Sequence, residues 1–285
     1  MIDFGRELCG DLAVSGRREW LVTNGIGGYG SGTVAGPLTR RYHGLLIAAL
    51  KPPLGRTLLL SKLDETASYD GNLYPLFANR WIAPRLPDQL TREWAGVEPA
   101  GYHHLERFHL GGTTPVWTFA CADACLEKQV WMQPGANTTY VRYDLRRATA
   151  PLTLSIKALV NYRNHHSNTH ANGWQMQITP VEHGLRVTAF DGATPFYVQC
   201  DRPEVTPQHD WYRNYFLRVE AYRGLDALED NLYAGHFQAT LQPGQSLTLV
   251  ASTSATPNLD GTSAYAERQE YEQSLLVGAG LRPAP

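Results

Sequence analysis

The stretch from Glu19 to Leu46 holds the densest set of side chains able to do chemistry. Trp20, Asn24, Tyr29 and the run Arg40-Arg41-Tyr42-His43-Gly44 stand among Gly25, Gly27, Gly28, Gly30, Gly32 and Gly36. Glycines at this density rule out a regular helix and let backbone pass close to another surface. An aromatic ring can stack on the apolar face of a sugar, while Asn, Arg and His can hydrogen-bond its hydroxyls. That mixture suits a neutral polyhydroxylated ligand better than a phosphate. A dinucleotide site needs a strand before its glycines and a helix after them. Here Gly32 is followed by Thr-Val-Ala-Gly-Pro, a poor helix start, and no Lys-Ser or Lys-Thr completes a P-loop. A hairpin whose glycines serve only its turns is the competing reading.

Two histidine clusters come next, His103, His104 and His109, then His165, His166 and His170. His166 and His170 have the spacing of metal ligands on a helix. Their surroundings, Asn161 to Gly173, are polar and rich in Asn, which predicts a loop, and a loop removes the force of the spacing. No metal or other cofactor is expected. A loop that touches sugar or a neighbouring domain is the other reading. Paired carboxylates would be needed for glycoside hydrolysis. Asp64 and Glu65 are adjacent, so on a strand they face opposite ways. Asp226 with Glu229 or Asp230 could share a helix face, but a solvated or capping acidic surface is the favoured reading.

The elements that must position these groups are strands. Val141, Tyr143 and Leu145 alternate with polar residues, as do Leu152, Leu154, Ile156 and Ala158, Trp174, Met176 and Ile178, and Phe237, Ala239 and Leu241. Period two is the pattern of half-buried strands. Asp70-Gly71, His183-Gly184, Asp191-Gly192 and Pro243-Gly244 mark turns. The expected fold is all-β, a large antiparallel two-sheet β-sandwich. Two helices are predicted: Leu225 to Tyr233, and Ser263 to Leu276 with Ser263 as N-cap and Gly278 and Gly280 as terminators. The division is a β-sandwich over 1–262 and a short C-terminal helical linker over 263–285.

The string from Glu19 to Tyr29, followed by Thr39-Arg40-Arg41-Tyr42-His43-Gly44-Leu45-Leu46, resembles the N-terminal region of bacterial and archaeal glycogen debranching enzymes of the amylo-α-1,6-glucosidase type. Asn161-Tyr162-Arg163-Asn164-His165-His166 is similar to that family's Arg/His segment. Tyr222 to Asp226, continuing through Glu229 to Phe237, is similar to its late signature. The resemblance covers nearly the whole chain. It implies a supersandwich-like domain followed by an (α/α)-barrel catalytic domain of the same polypeptide that carries the acid and base. On that reading the chain is a fragment and hydrolyses nothing alone. It implies an α-glucan such as glycogen as ligand, with Trp20, Asn24, Arg40, Arg41, Tyr42 and His43 at the site and Arg163, His165 and His166 as further candidates. A purely structural module that packs on the barrel and never meets sugar is the rival. The motif's polar side chains are expected to matter little for folding, with Arg41→Ala or His43→Ala costing less than about 1 kcal/mol.

Composition bounds the rest. At 43% apolar and 18% charged residues the chain is an ordinary globular one. A formal net charge of −2 argues against nucleic acid. No stretch approaches a membrane span, and the start has no signal-peptide pattern, so a cytoplasmic location is the expectation. Cys9, Cys121, Cys125 and Cys200 are expected to be free thiols. Asn137-Thr138-Thr139 has the letters of a glycosylation acceptor, without use in a cytoplasmic protein.

Overall fold

Two antiparallel sheets face each other in the computed structural model, which describes residues 2–82, 97–202 and 204–279. One sheet has nine strands, ordered Asp3–Phe4, Leu105–Gly111, Thr114–Cys121, Ala124–Met132, Thr138–Arg147, Ser246–Ser252, Phe196–Cys200, Gly184–Thr188 and Gln177–Val181. The other has eight. Its order is Val205–Phe216, Leu228–Leu241, Leu152–Asn164, Leu54–Tyr69, Gly44–Lys51, Tyr29–Thr33 and Glu19–Thr23, with Asn72–Pro75 paired to Leu54–Tyr69. The expected all-β sandwich is the observed one.

The alternating residues read from sequence fill the space between the sheets. Leu152, Leu154, Ile156 and Ala158 are fully buried, as are Val141, Tyr143 and Leu145. Trp20 of one sheet meets Trp117 of the other edge to face at 5.4 Å, a favoured aromatic geometry. Asp64 and Glu65 do face opposite ways. Glu65 reaches across the sandwich to Tyr143 Oη (2.8 Å) and Lys128, while Asp64 binds Lys62 and Asn79 on the outer side.

The glycine-rich stretch is a hairpin, with Glu19–Thr23 paired to Tyr29–Thr33. Asn24 organises its tip. Its Oδ1 accepts from the amides of Ile26 and Gly28, and its Nδ2 donates to Ala136 O and Asn137 Oδ1. Gly27 has φ +101°, and a Cβ there would lie 2.6 Å from Pro53 O, so both conformation and space demand glycine. Asn137, the nominal glycosylation site, bonds the backbone N–H and C=O of Ala49.

Three expectations about elements need correction. Leu225 to Tyr233 is not a helix. Leu228–Leu241 is a strand, and a five-residue helix, Arg218–Tyr222, precedes it. Glu229, Asp230 and Asn231 are buried alongside Leu232, so the strand's first half shows no polar–apolar alternation. Asp226, Glu229 and Asp230 therefore share no helix face. The C-terminal helix runs Gly261–Gly278 with Asp260 as N-cap, its side chain accepting from Thr262 N. Ser263 instead donates to Asp260 O. Gly280 and the end of the assigned linker lie outside the described residues. The helix packs on the nine-stranded sheet through Ala264, against Trp131, Tyr140 and Val250. Its Arg268 is buried and bonds Thr23 O, Met132 O and Thr113 Oγ1. Of Trp174, Met176 and Ile178, only Ile178 falls in a strand, Gln177–Val181.

The four cysteines are free, as expected. Burial lifts Cys121 and Cys200 to about 12, which leaves them unreactive thiols. Among the described residues no helix is long and apolar enough to cross a membrane.

Candidate functional site

Segments 125 and 185 residues apart in sequence meet on the side chain of Arg41, which donates through Nη1 to His166 O (2.6 Å) and through Nη2 to Asp226 O (3.3 Å). Its Nε lies 3.3 Å from Glu220 Oε2, an ion pair without the alignment of a hydrogen bond. Glu220 is wholly buried, accepts the Arg41 backbone N–H, and also pairs with Arg223. Val219 N bonds Thr39 O, tying the short helix to the turn that carries Arg41.

Beneath Arg41 lies a second arginine. Arg163 donates through Nε to Glu229 Oε1 (2.9 Å) and lies 2.7 Å from Glu229 Oε2 through Nη2, which also donates to Arg41 O (2.8 Å). Glu229 further accepts from Thr169 N and Asn161 Nδ2. Burial pushes the Glu229 carboxyl above its ordinary value, and Arg163 offsets part of that push. The strand holding Arg163 carries register shifts against its neighbour at Leu159/Val160 and Val160/Arg163. Such bulges re-aim side chains at the end of a strand.

Around this base stand rings. Tyr42 Oη is 3.0 Å from His166 Nδ1, and the Tyr42 ring meets His165 and His166 edge to face at 5.5 Å. Tyr29 Oη is 3.0 Å from His165 Nδ1. His166 is exposed, Tyr42 half-buried and His165 buried. Burial, then the neighbouring His166 and the arginines Arg56 and Arg163, lower His165 to about 4, while burial raises Tyr29 to about 12. His165 is therefore neutral near pH 7. Its unfolded value is near 6.5, so the folded state resists its protonation. Stability is full above pH 6.5 and is lost as pH falls from there through about 4. The loss is expected to reach about 2–3 kcal/mol at the acid end. Melting wild type and His165→Gln at pH 7 and pH 4.5 checks this: the wild type should lose more. Equal losses would contradict the assignment.

The remaining candidates serve elsewhere. Trp20 is buried in the core and lines a cavity of about 60 Å³ between the sheets, with Trp117, Glu65 and Lys128. That volume holds a few waters and no sugar ring. Asn24 is spent on the hairpin tip. His43 is buried, its Nδ1 accepting from Thr39 N and its Nε2 lying 3.4 Å from Glu19 Oε1. His43 and Arg40 (2.6 Å) hold Glu19 down to about 2 against its partial burial. Against the expectation that Arg41 and His43 matter little for folding, His43 is buried and Arg41 largely covered, and each faces a carboxylate, Glu19 and Glu220, so their alanine variants are the ones whose melting tests that expectation. His170 lies apart from His166, its Nε2 bonded to Asp226 Oδ2 at 2.8 Å. Among the described residues no three His, Cys, Asp or Glu side chains cluster as metal ligands would.

Thus the structure brings together Arg41, Tyr42, Arg163, His165 and His166 from the sequence-derived set, while Arg40 turns to Glu19. It adds Tyr29, Glu220 and Glu229. Glu220 lies in a helix of five residues that leaves no periodic signal. Glu229 is legible in the sequence only as one of three acidic residues.

These are the three segments whose residues resemble one family, and a sequence profile described as glycogen debranching enzyme N terminal matches residues 18–248. The chain belongs to the glycogen debranching enzyme N-terminal family. No curated protein matches it. Among solved structures, a bacterial glucoamylase complexed with acarbose aligns with 90% of this debranching-family domain at 7% identity and a TM-score of 0.31. The alignment covers 34% of the glucoamylase chain, so the domain spans about a third of that protein.

Proposed function

We propose that this domain forms one wall of the α-glucan site of a glycogen debranching enzyme of the amylo-α-1,6-glucosidase type. It would work in the cytoplasm beside an (α/α)-barrel that carries the catalytic carboxylates and acts on α-1,6 branches. The observation that supports this most is the convergence on Arg41. Family-like segments far apart in sequence build one surface of rings and multi-donor groups, the chemistry that suits a neutral sugar. Tyr42 and His166 present the contact surface, with Arg41 beside them. His165 and Arg163 hold them from behind, and Trp20, Asn24, Arg40 and His43 fix the hairpin and turn. Catalysis is assigned to the barrel because the five acidic residues weighed above as possible catalytic pairs are all engaged. Asp64 and Glu65 are buried and ion-paired, Glu229 and Asp230 are buried and hydrogen-bonded, and Asp226 is paired with His170.

Electrophoresis through gels containing glycogen tests the reading. The wild-type chain should be retarded, and Tyr42→Ala should run faster while keeping its melting temperature within a few degrees. A wild-type mobility indifferent to glycogen would favour the rival, in which this surface packs against the barrel and touches no sugar.

A further inference from the structure

Asn-Gly occurs twice in the chain, at Asn24-Gly25 and at Asn172-Gly173. Such a pair can react with itself. The glycine amide nitrogen attacks the asparagine side-chain carbonyl, and glycine, having no Cβ, leaves that nitrogen uncrowded. The fold treats the two pairs in opposite ways. Asn24 is wholly buried, with Oδ1 accepting from the amides of Ile26 and Gly28 and Nδ2 donating to Ala136 O and Asn137 Oδ1. Its carbonyl cannot turn toward Gly25 N without breaking those bonds. Asn172 and Gly173 are both exposed. Their φ angles of +42° and +79° make them the centre of a type I′ turn, closed by Trp174 N donating to Ala171 O at 2.6 Å. Among the described residues no hydrogen bond restrains the Asn172 side chain or the Gly173 N–H. A Cβ added at Gly173 would meet nothing within 4 Å, so the space for ring closure is open.

We propose that Asn172 is a site of spontaneous covalent modification, deamidation through a succinimide, and that the fold protects Asn24 from the same reaction. Gly173 N forms a bond to Asn172 Cγ. The Cγ–Nδ2 bond breaks, and ammonia leaves with the proton that Gly173 N gives up. Water then opens the ring at either carbonyl. Breaking the bond from Gly173 N to Cγ gives an aspartate. Breaking the original peptide bond instead gives an isoaspartate, whose main chain runs through the former side chain and is longer by one methylene. No oxidant, reductant or co-reactant other than water is required. Either product sets a new carboxylate in the loop that carries His165, His166 and His170. The longer chain also falls inside a turn whose two ends are pinned, Ala171 N to Asp230 Oδ2 and Trp174 Nε1 to Ala189 O. The isoaspartyl form must therefore open that turn or release one of its ends.

Peptide mass spectrometry tests the proposal on this chain aged at mildly alkaline pH, once folded and once unfolded in urea. In the folded chain the peptide holding Asn172 should gain the mass of an amide-to-acid conversion and split into two isomers, aspartyl and isoaspartyl. Its conversion should run at least about tenfold faster than that of the peptide holding Asn24, whose side chain must first be freed from its hydrogen bonds. In urea that protection is gone, and the two peptides should convert at comparable rates. Asn172→Gln, which would have to close a larger ring, should lose the fast conversion while melting like wild type. A folded chain that keeps Asn172 as an amide while both sites convert in urea would overturn the proposal. So would equal rates at Asn24 and Asn172 in the folded chain, or a product without the isoaspartyl isomer, which would mean direct hydrolysis and no succinimide.

Discussion

Replacing Arg163 with alanine is expected to destabilise the domain by about 3–5 kcal/mol. The side chain of Arg163 is 5% exposed and that of its partner Glu229 is 1% exposed. The pair has already been taken out of water, so the cost of the substitution is the charge left behind. Glu229 would keep its bonds from Thr169 N and Asn161 Nδ2 but lose its counter-ion, and Arg41 O would lose its donor. For a chain of this size the fall in Tm should be on the order of 10 °C. Adding Glu229→Gln to Arg163→Ala should recover part of the loss, because the orphaned charge goes with it. A loss below about 1 kcal/mol, or no recovery in the double variant, would mean that the pair is solvated and does not hold the site.

Asn24→Ala is expected to cost about 2–4 kcal/mol. One amide side chain makes four bonds there, and Asn24 is wholly buried. Alanine would leave the Gly28 amide and Ala136 O without partners, and each unsatisfied buried group costs about 1–3 kcal/mol. Asn24→Asp separates the two halves of the amide. It keeps the acceptor for Ile26 N and Gly28 N but loses the donor to Ala136 O and sets a charge beside Asn137 Oδ1. It should therefore destabilise as well. Urea unfolding of both variants decides the matter: a midpoint within error of wild type for Asn24→Ala would free the residue for a role in ligand contact.

The contrast between Asn24 and Tyr42 shows where sequence reading stops. Both sit in one motif of rings, amides and glycines, and both are candidates for sugar contact on side-chain chemistry alone. Only three-dimensional placement separates a residue spent on a hairpin tip from one at the surface. The strands are legible wherever one face meets the core and the other meets water, as in Leu152 to Ala158. Leu228–Leu241 reads as a helix at its start because Glu229, Asp230 and Asn231 are buried by partners distant in sequence. Nothing local distinguishes such a strand from an acidic helix. Arg41 and Arg163 stand out by type, but their dependence on Glu220 and Glu229 does not, since long-range ion pairs leave no spacing to read. The grouping of histidines fails in a similar way. His166 turns to Tyr42 and His170 to Asp226, so proximity in sequence does not become a shared site.

The claim that the Arg41 surface meets α-glucan is tested most directly at its histidines. Imidazole proton and nitrogen resonances, followed while maltoheptaose is added, report contact ring by ring. The account predicts that signals of His165 and His166 move and saturate together, while those of His103, His104 and His183 stay in place. Unmoved signals at His165 and His166 with saturating sugar, or movement confined to His103 and His104, would contradict it.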